Sequence, residues 1–222
     1  MQKLWDLLTP ERQQKIENVL GDRTRALTLV LEDIFDPHNA SACLRSAEAF
    51  GVMDVHIIEN SHKFELKEGV AQGTGKWLNL VRHRAKHQEN TMSCFSKLKA
   101  DGYQIYAATP HAHDVSLPDI EFKEKVAVVF GSEKDGLSQK ALELADKRFK
   151  IPMTGFAESL NISVSCAVTL ATLIQKLKTS KLDWKLSKKE FEELKIDWAK
   201  KSIPNGELIY EKFLKESLSK KI

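Results

Sequence analysis

The sequence predicts an α/β core on a mostly parallel sheet, with helical extensions at both ends. Three observations carry that expectation. Apolar, β-branched runs alternate with helix-period segments between residues 26 and 177, the pattern of parallel strands joined by helices. The 222 residues suffice for one well-buried core, and 42% hydrophobic with 29% charged residues is ordinary globular composition. Beyond Lys178 strand patterns vanish and lysine rises, with 13 lysines against 8 acids in residues 175–222.

The elements follow in order. Thr9 and Pro10 fit an N-cap and a first helical position, Ile16, Val19 and Leu20 have helical spacing, and Gly21 can end the helix. ALTLVLED (26–33) is a strand. DPHNASACLRSAEAFG (36–51) runs from a loop into a helix stopped by Gly51, and DVHIIE (54–59) is a second strand. A helix over 91–102 and a strand over 103–109 come next, then a strand over 125–131 and a helix opened by Ser138. RFKIPM (148–153) is short and extended. The helix over 161–177 is apolar on nearly every face, which predicts burial on both sides. Ser187 and Glu190 fit a capping box, and Phe191, Leu194 and Trp198 mark one stripe. Pro204-Asn205-Gly206 breaks that helix, and 208–218 is helical again. The organisation read from this is an extension over 1–25, a core over 26–177 and a second extension over 178–222.

Composition narrows the function classes. No apolar run is long enough to span a bilayer, and the N-terminus shows no secretory pattern. Three scattered cysteines, Cys43, Cys94 and Cys166, fit a reducing, cytoplasmic setting. Net charge is only +3, yet residues 76–99 hold six basic residues against the single acid Glu89. Basic patches on a near-neutral body suit a polyanion, though a solvated lysine-rich surface looks the same. His83 and His87, with HAHD (111–114), lack the further ligands of a convincing zinc set, so no metal is expected. GVAQGTGK (69–76) matches neither a P-loop nor a dinucleotide fingerprint and reads as a basic RNA-contact loop.

Three segments carry polar groups at places where ligands bind. In the helix after residue 36, Ala40, Cys43, Leu44, Ala47 and Phe50 form one apolar face. Arg45 points away from it among Ser41, Ala42 and Ala49, small neighbours that let a ligand or another backbone approach. An ion pair with Glu48 would also explain Arg45, and an N-cap would explain Asn39. VVFGSEKDGLS (128–138) places Gly131, Ser132 and Glu133 at a strand's carboxyl end, where open α/β sheets bind ligands. IPMTGFAESLNISVS (151–165) delivers Ser159 and Asn161 to the start of the long helix, where Asn161 could equally be a cap.

Together NASACLR…FG, FGSEKDGLS and IPMTGFAESLNIS resemble the three ordered motifs of the SPOUT-class RNA ribose 2′-O-methyltransferases, over about residues 26–177. ERQQKIENVL, the basic Arg23 and Arg25, LTLVLEDIFDPHN and DWAKK resemble the tRNA (guanosine-18) branch of that class. The resemblance implies a deep trefoil knot in the C-terminal part of the core and S-adenosylmethionine bound there mainly through backbone, with Thr109, Gly131, Ile151, Met153 and Leu160 at the matching places. It implies a homodimer with the active site near the interface, and catalytic positions at Arg45, Asn39, Glu133, Ser159 and Asn161. Arg45 would face the ribose and phosphate. A guanidinium normally keeps its proton, so a phosphate clamp that stabilises the developing alkoxide is favoured over a general base. The extensions are expected to hold tRNA through Arg12, Lys15, Arg23 and Arg25, with Lys76 from the basic loop and Lys188, Lys189, Lys200 and Lys201 from the tail. Methylation of ribosomal RNA or of an anticodon-loop ribose is the nearest alternative. A non-catalytic RNA-binding module is the other, and the intact set of motif residues speaks against it.

Overall fold

Leu27–Glu32 (β1) is buried along its whole length, as a strand covered on both faces of a parallel sheet must be. Asp54–Ile58 (β2) is the same, and Lys125–Phe130 (β6) is buried after its first residue. These strands join Asn79–His83 (β3), Tyr103–Ala108 (β4), Val115–Ser116 (β5) and Lys147–Lys150 (β7) in one sheet of order β3-β2-β1-β6-β4-β7-β5. Every pairing in it is parallel. The computed structural model describes residues 2–66, 73–86, 89–112 and 114–219. The first half of GVAQGTGK (69–72), together with His87 and His113, lies outside them; its described end enters a 3-10 turn, Thr74–Trp77. No described helix is long and apolar enough to cross a membrane.

The chain divides into two compact units. One is Thr24–Trp184; the other combines Met1–Arg23 with Lys185–Ile222. In the first, helices cover both faces of the sheet. Pro37–Ala49 (α3) and Ile162–Thr179 (α6) share a core with Leu27, Leu29 and Leu31. Asn90–Ala100 (α4) and Gln139–Leu144 (α5) share the opposite core with Val30, Ile105 and Val129. The alternating inward positions of β1 thus serve two cores.

The small residues of α3 have a packing reason. Ala40, Cys43, Leu44 and Ala47 are buried where α3 packs on α6, and the Cys43 thiol beside it, with burial, pushes the Cys166 thiol up. The α6 expectation needs correcting. Its buried residues form one stripe, Ile162, Cys166, Thr169, Leu170, Leu173, Ile174 and Leu177, while Val164 and Val168 are 45% and 38% exposed. One sheet and one neighbouring helix cover only one side.

β3 and β5 are unanticipated. β3 is a half-exposed edge strand without an apolar run, and β5 is two residues long. At the amino ends of the strands, Asp54 accepts hydrogen bonds from Arg25 Nη1 (2.6 Å) and Asn79 Nδ2 (2.8 Å). Arg25, expected to bind RNA, is therefore committed to an ion pair that ties β1, β2 and β3 together.

The second unit consists of Gln2–Trp5 (α1), Pro10–Gly21 (α2), Lys188–Ser202 (α7) and Gly206–Ser219 (α8). Thr9 caps α2, and Ser187 with Glu190 forms the expected capping box on α7. The N- and C-terminal segments pack on one another around Leu4, Ile16, Leu20 and Trp198. Arg23 is fully buried, its guanidinium 5.3 Å from the Trp198 ring centre. A side chain with no exposed surface cannot reach a phosphate, so Arg23 is removed from the RNA candidates. Arg12 is half-buried and donates to Ser202 Oγ at 3.1 and 3.3 Å, a contact that joins α2 to α7. Lys189, Lys200 and Lys201 pair with Glu193, Glu207 and Asp197 of the same unit. Lys15 and Lys188 are exposed and have no ion pair among the described residues.

Between β2, β3 and α4, His56 Nδ1 faces His83 Nε2 at 3.1 Å. Burial, reinforced by the neighbouring His83, pushes the His56 imidazole down to about 4. An unfolded chain takes up this proton near pH 6.5, whereas the folded chain refuses it until about pH 4. Folding stability should therefore be full above pH 6.5 and fall as the pH drops towards 4, by up to about 3 kcal/mol from this group. Urea unfolding midpoints measured from pH 7.5 to 5 should show the fall, and His56→Gln should flatten it. An equal slope in the variant would remove this assignment.

Candidate active site at the carboxyl ends of β1 and β6

β1 and β6 are neighbours in the sheet but distant in sequence, and the chain order reverses about them. Such a reversal opens a crevice beyond the strand ends, because the two outgoing connections leave in opposite directions. The connection after β1 carries Asn39; the connection after β6 carries Glu133.

Local chemistry fixes each connection. Asp36 caps α3, its carboxylate accepting from His38 N at 2.8 Å. Asn39 is therefore not the cap, and its side chain is available for other partners. After β6, Ser132 N donates to Gly136 O (2.9 Å) and Gly136 N to Ser132 O (3.0 Å), closing a tight turn. Gly136 sits at φ 70°, and a Cβ on Gly131 would lie 2.2 Å from the Gly136 carbonyl. The buried Glu32 holds the far side of this loop. Its carboxylate accepts from Thr91 Oγ1 (2.6 Å), Ser138 Oγ (2.9 Å) and Ser138 N (2.9 Å), which anchors the start of α5.

The loops meet at one carboxylate. Glu133 Oε1 accepts from Asn39 Nδ2 at 2.9 Å and from Asp36 N at 3.4 Å; Oε2 accepts from Phe35 N at 3.3 Å. Asn39 Oδ1 in turn accepts from Asn161 Nδ2 at 3.2 Å. Asn161 is also the cap of α6, its Oδ1 accepting from Ser163 N at 2.8 Å. Capping and bridging use the two ends of one amide.

Beside this chain of hydrogen bonds lies a cavity of about 620 Å³. Thr109, Gly131, Ile151, Met153 and Leu160 all line it, with Glu133, Ser159 and Asn161. Residues 152–160 are exposed throughout, and among the described residues their backbone makes no hydrogen bond. Of this run, Met153, Ser159 and Leu160 line the cavity and present their open backbone groups to it.

Arg45 lies six residues beyond Asn39 on α3 and does not line the cavity. It is exposed and has no hydrogen bond or ion pair among the described residues, so the Glu48 pairing is not formed. Ser41 and Ser46 donate to Pro37 O (2.6 Å) and Ala42 O (3.0 Å), back-bonding within α3. Lys76 stands apart, half-buried, with its ammonium 4.6 Å from the Trp77 ring centre. Asp36, Glu32 and Ser165, which also lines the cavity, carry no motif that marks them in the sequence. An acid closing the largely apolar strand LTLVLE is the sequence signal for Glu32.

His56 Nδ1, His83 Nε2 and Cys94 Sγ lie within 4.8 Å of one another. The nitrogens face each other as a hydrogen bond sharing one proton. Neither ring's other nitrogen has a hydrogen bond among the described residues, such as would steady a metal ligand.

The SpoU rRNA Methylase family model matches residues 26–171. The chain is 38% identical over 202 residues to a tRNA (guanosine(18)-2'-O)-methyltransferase of Borreliella burgdorferi, covering 91% of this chain and 90% of the relative. It is 35% identical to a Thermus thermophilus protein of the same name, over 87% of this chain and 98% of that one. Among solved structures it is similar to the A. aeolicus TrmH/SpoU tRNA modifying enzyme, with a TM-score of 0.74, 27% identity, and 87% and 98% of the two chains covered.

The glycines of the site should respond unequally. Gly131→Ala forces a Cβ into the Gly136 backbone and should cost about 1–3 kcal/mol in urea unfolding, the usual penalty of overpacking. Gly155→Ala meets nothing within 4 Å and should change stability by less than about 0.5 kcal/mol. Equal costs would contradict the close approach.

Proposed function

The chain belongs to the SpoU rRNA methylase family, and on that premise we propose that it methylates the ribose 2′-hydroxyl of guanosine 18 in tRNA, using S-adenosylmethionine. One observation carries the proposal: Asn39, Glu133 and Asn161, from three distant segments, form a single hydrogen-bonded chain beside a cavity whose lining includes Glu133 and Asn161. The choice of tRNA is supported by relatives bearing that name, whose likeness extends beyond residues 26–171 to about nine-tenths of this chain.

The cavity fits the donor. Its volume lies in the range of small-molecule pockets, and the unbonded backbone groups of Met153, Ser159 and Leu160 suit a ligand held through main-chain hydrogen bonds. Thr109, Gly131, Ile151, Met153 and Leu160 would hold S-adenosylmethionine, which supplies an electrophilic methyl group on a sulfonium sulfur. The close Gly131–Gly136 contact keeps side-chain atoms out of that wall.

The protein's own contribution is position and charge. A bound donor would give its methyl group to the ribose 2′-oxygen and leave as the neutral thioether, and the hydroxyl proton would pass to water. Arg45, exposed and uncommitted among the described residues, pairs with the phosphate next to the target and stabilises the developing negative oxygen. It takes no proton, because a guanidinium holds its own. Asn39, Glu133 and Asn161 fix the loops and the helix that carries Arg45, and Ser159 stands on the cavity wall as a further polar contact. Holding the two reacting atoms in line supplies a large share of the rate.

The knot belongs to this proposal. Its support is β7, which inserts between β4 and β5 although it follows both in sequence. So does the homodimer. Val164 and Val168 on α6, with Leu160, Met153 and the fully exposed Phe156, leave an apolar surface that a second copy would cover. Lys15 and Lys188 of the helical unit and Lys76 of the core are the RNA contacts retained, acting on phosphates without reading sequence. Three free cysteines suit the cytoplasm.

Labelled S-adenosylmethionine incubated with unmodified tRNA, followed by mapping of the methylated nucleotide, tests the function. Label at the guanosine 18 ribose is expected; label elsewhere, or none, refutes it. Arg45→Ala should lower the rate at least about 100-fold while leaving cofactor binding intact, and Arg45→Lys should also be poor for want of a planar fork. A near-normal lysine variant would count against the clamp. Sedimentation at micromolar concentration should show a dimer, and a stable, active monomer would remove that part.

A further inference from the structure

Phe35 is an apolar side chain that the fold holds in water. Its ring is 70% exposed, although the residue adjoins the buried end of β1. Scattered exposed apolar residues are common and mean little. Here, however, the backbone of the residue and that of its neighbour are both fixed by polar contacts.

Two carboxylates do the fixing. Glu133 accepts from Phe35 N, so the backbone under the ring is tied to the group that binds Asn39. Asp33, at a left-handed φ of 51°, turns its Oδ1 to accept from Asn60 N (2.7 Å), Ser61 N (2.9 Å) and His62 N (3.2 Å). A non-glycine residue in that conformation is uncommon. The three bonds gather the loop after β2 against the loop after β1, and Asn60 Nδ2 adds a bond to Thr91 Oγ1 at 3.0 Å. The outcome is an exposed His62 set edge-to-face on Phe35, ring centres 5.3 Å apart and planes at 78°. Two held aromatic rings therefore stand in solvent next to the Asn39–Glu133 bond.

We propose that Phe35, braced by His62, is a stacking platform for a nucleobase of the RNA substrate, either the base on the target ribose or an adjacent one. The inference rests on the function proposed above. An aromatic face accepts any base, costs little ordering when already fixed, and would orient the strand so that one ribose enters the site. The platform adds affinity and position, not charge, so it complements Arg45 on the phosphate.

The test uses the full-length protein and unmodified tRNA, with three further tRNAs that lack the base at the target ribose or at either neighbour but keep every ribose. Phe35→Ala should weaken tRNA binding about 5- to 150-fold, as removal of a stacking partner worth roughly 1–3 kcal/mol per base does. Binding of S-adenosylmethionine should not change, and Phe35→Trp should keep the parent's affinity. On one abasic RNA the parent should bind as weakly as Phe35→Ala, with no further loss in the variant; that RNA identifies the stacked base. If Phe35→Ala binds and methylates intact tRNA like the parent, or its loss persists in full on all three abasic RNAs, the platform is wrong while the proposed function stands. If the parent itself transfers no methyl group to tRNA, the proposed function fails and the platform falls with it.

Discussion

The carboxylate of Glu133 is the point on which the site depends. It accepts two backbone N–H groups from the loop after β1 and the amide of Asn39, whose oxygen takes the amide of Asn161. Asn39 and Asn161 are separated by 122 residues and Asn39 and Glu133 by 94. Each hydrogen bond is worth little by itself, about 1 kcal/mol net and more when one partner is charged. Their value is geometric, because they fix three loops that would otherwise be free to move independently.

Placement of that carboxylate follows from the sheet. Leu31 pairs with Phe130, so the chain leaves β1 and β6 at the same level and the two loops emerge side by side. Behind them, the buried Glu32 anchors α5 through Ser138, and the close Gly131–Gly136 contact sets the path of the loop that bears Glu133. On the other side, α3 can lie close on α6 because its inner face is alanine and cysteine. The small residues of α3 thus serve packing on its inner face, and Arg45 stands exposed on the other side of the helix.

The central strands were legible because they are largely apolar runs, and the caps of α2, α5 and α7 because Thr9, Ser138 and Ser187 have few other local uses. β3 and β5 were not, since one is half-exposed and the other needs only two residues. Basic residues misled for a physical reason. Arg23 and Arg25 look solvated in a sequence, yet Trp198 and Asp54, which bury or bind them, come from far along the chain or from another strand. The polar residues of the site were visible as three segments, but their hydrogen bonds to one another were not. Local sequence offered capping for Asn39, and only the position of Asp36 shows that role already filled.

If Glu133 acts by holding Asn39, the two side chains form one device, and their removal should not add. Single-turnover methyl transfer to tRNA by Asn39→Ala, Glu133→Ala and the double variant measures this directly. The account predicts that the double variant is no slower than the slower single one, since either change already releases the loops. Losses that multiply would mean that the two residues act separately, and the shared carboxylate would then not be what organises the site.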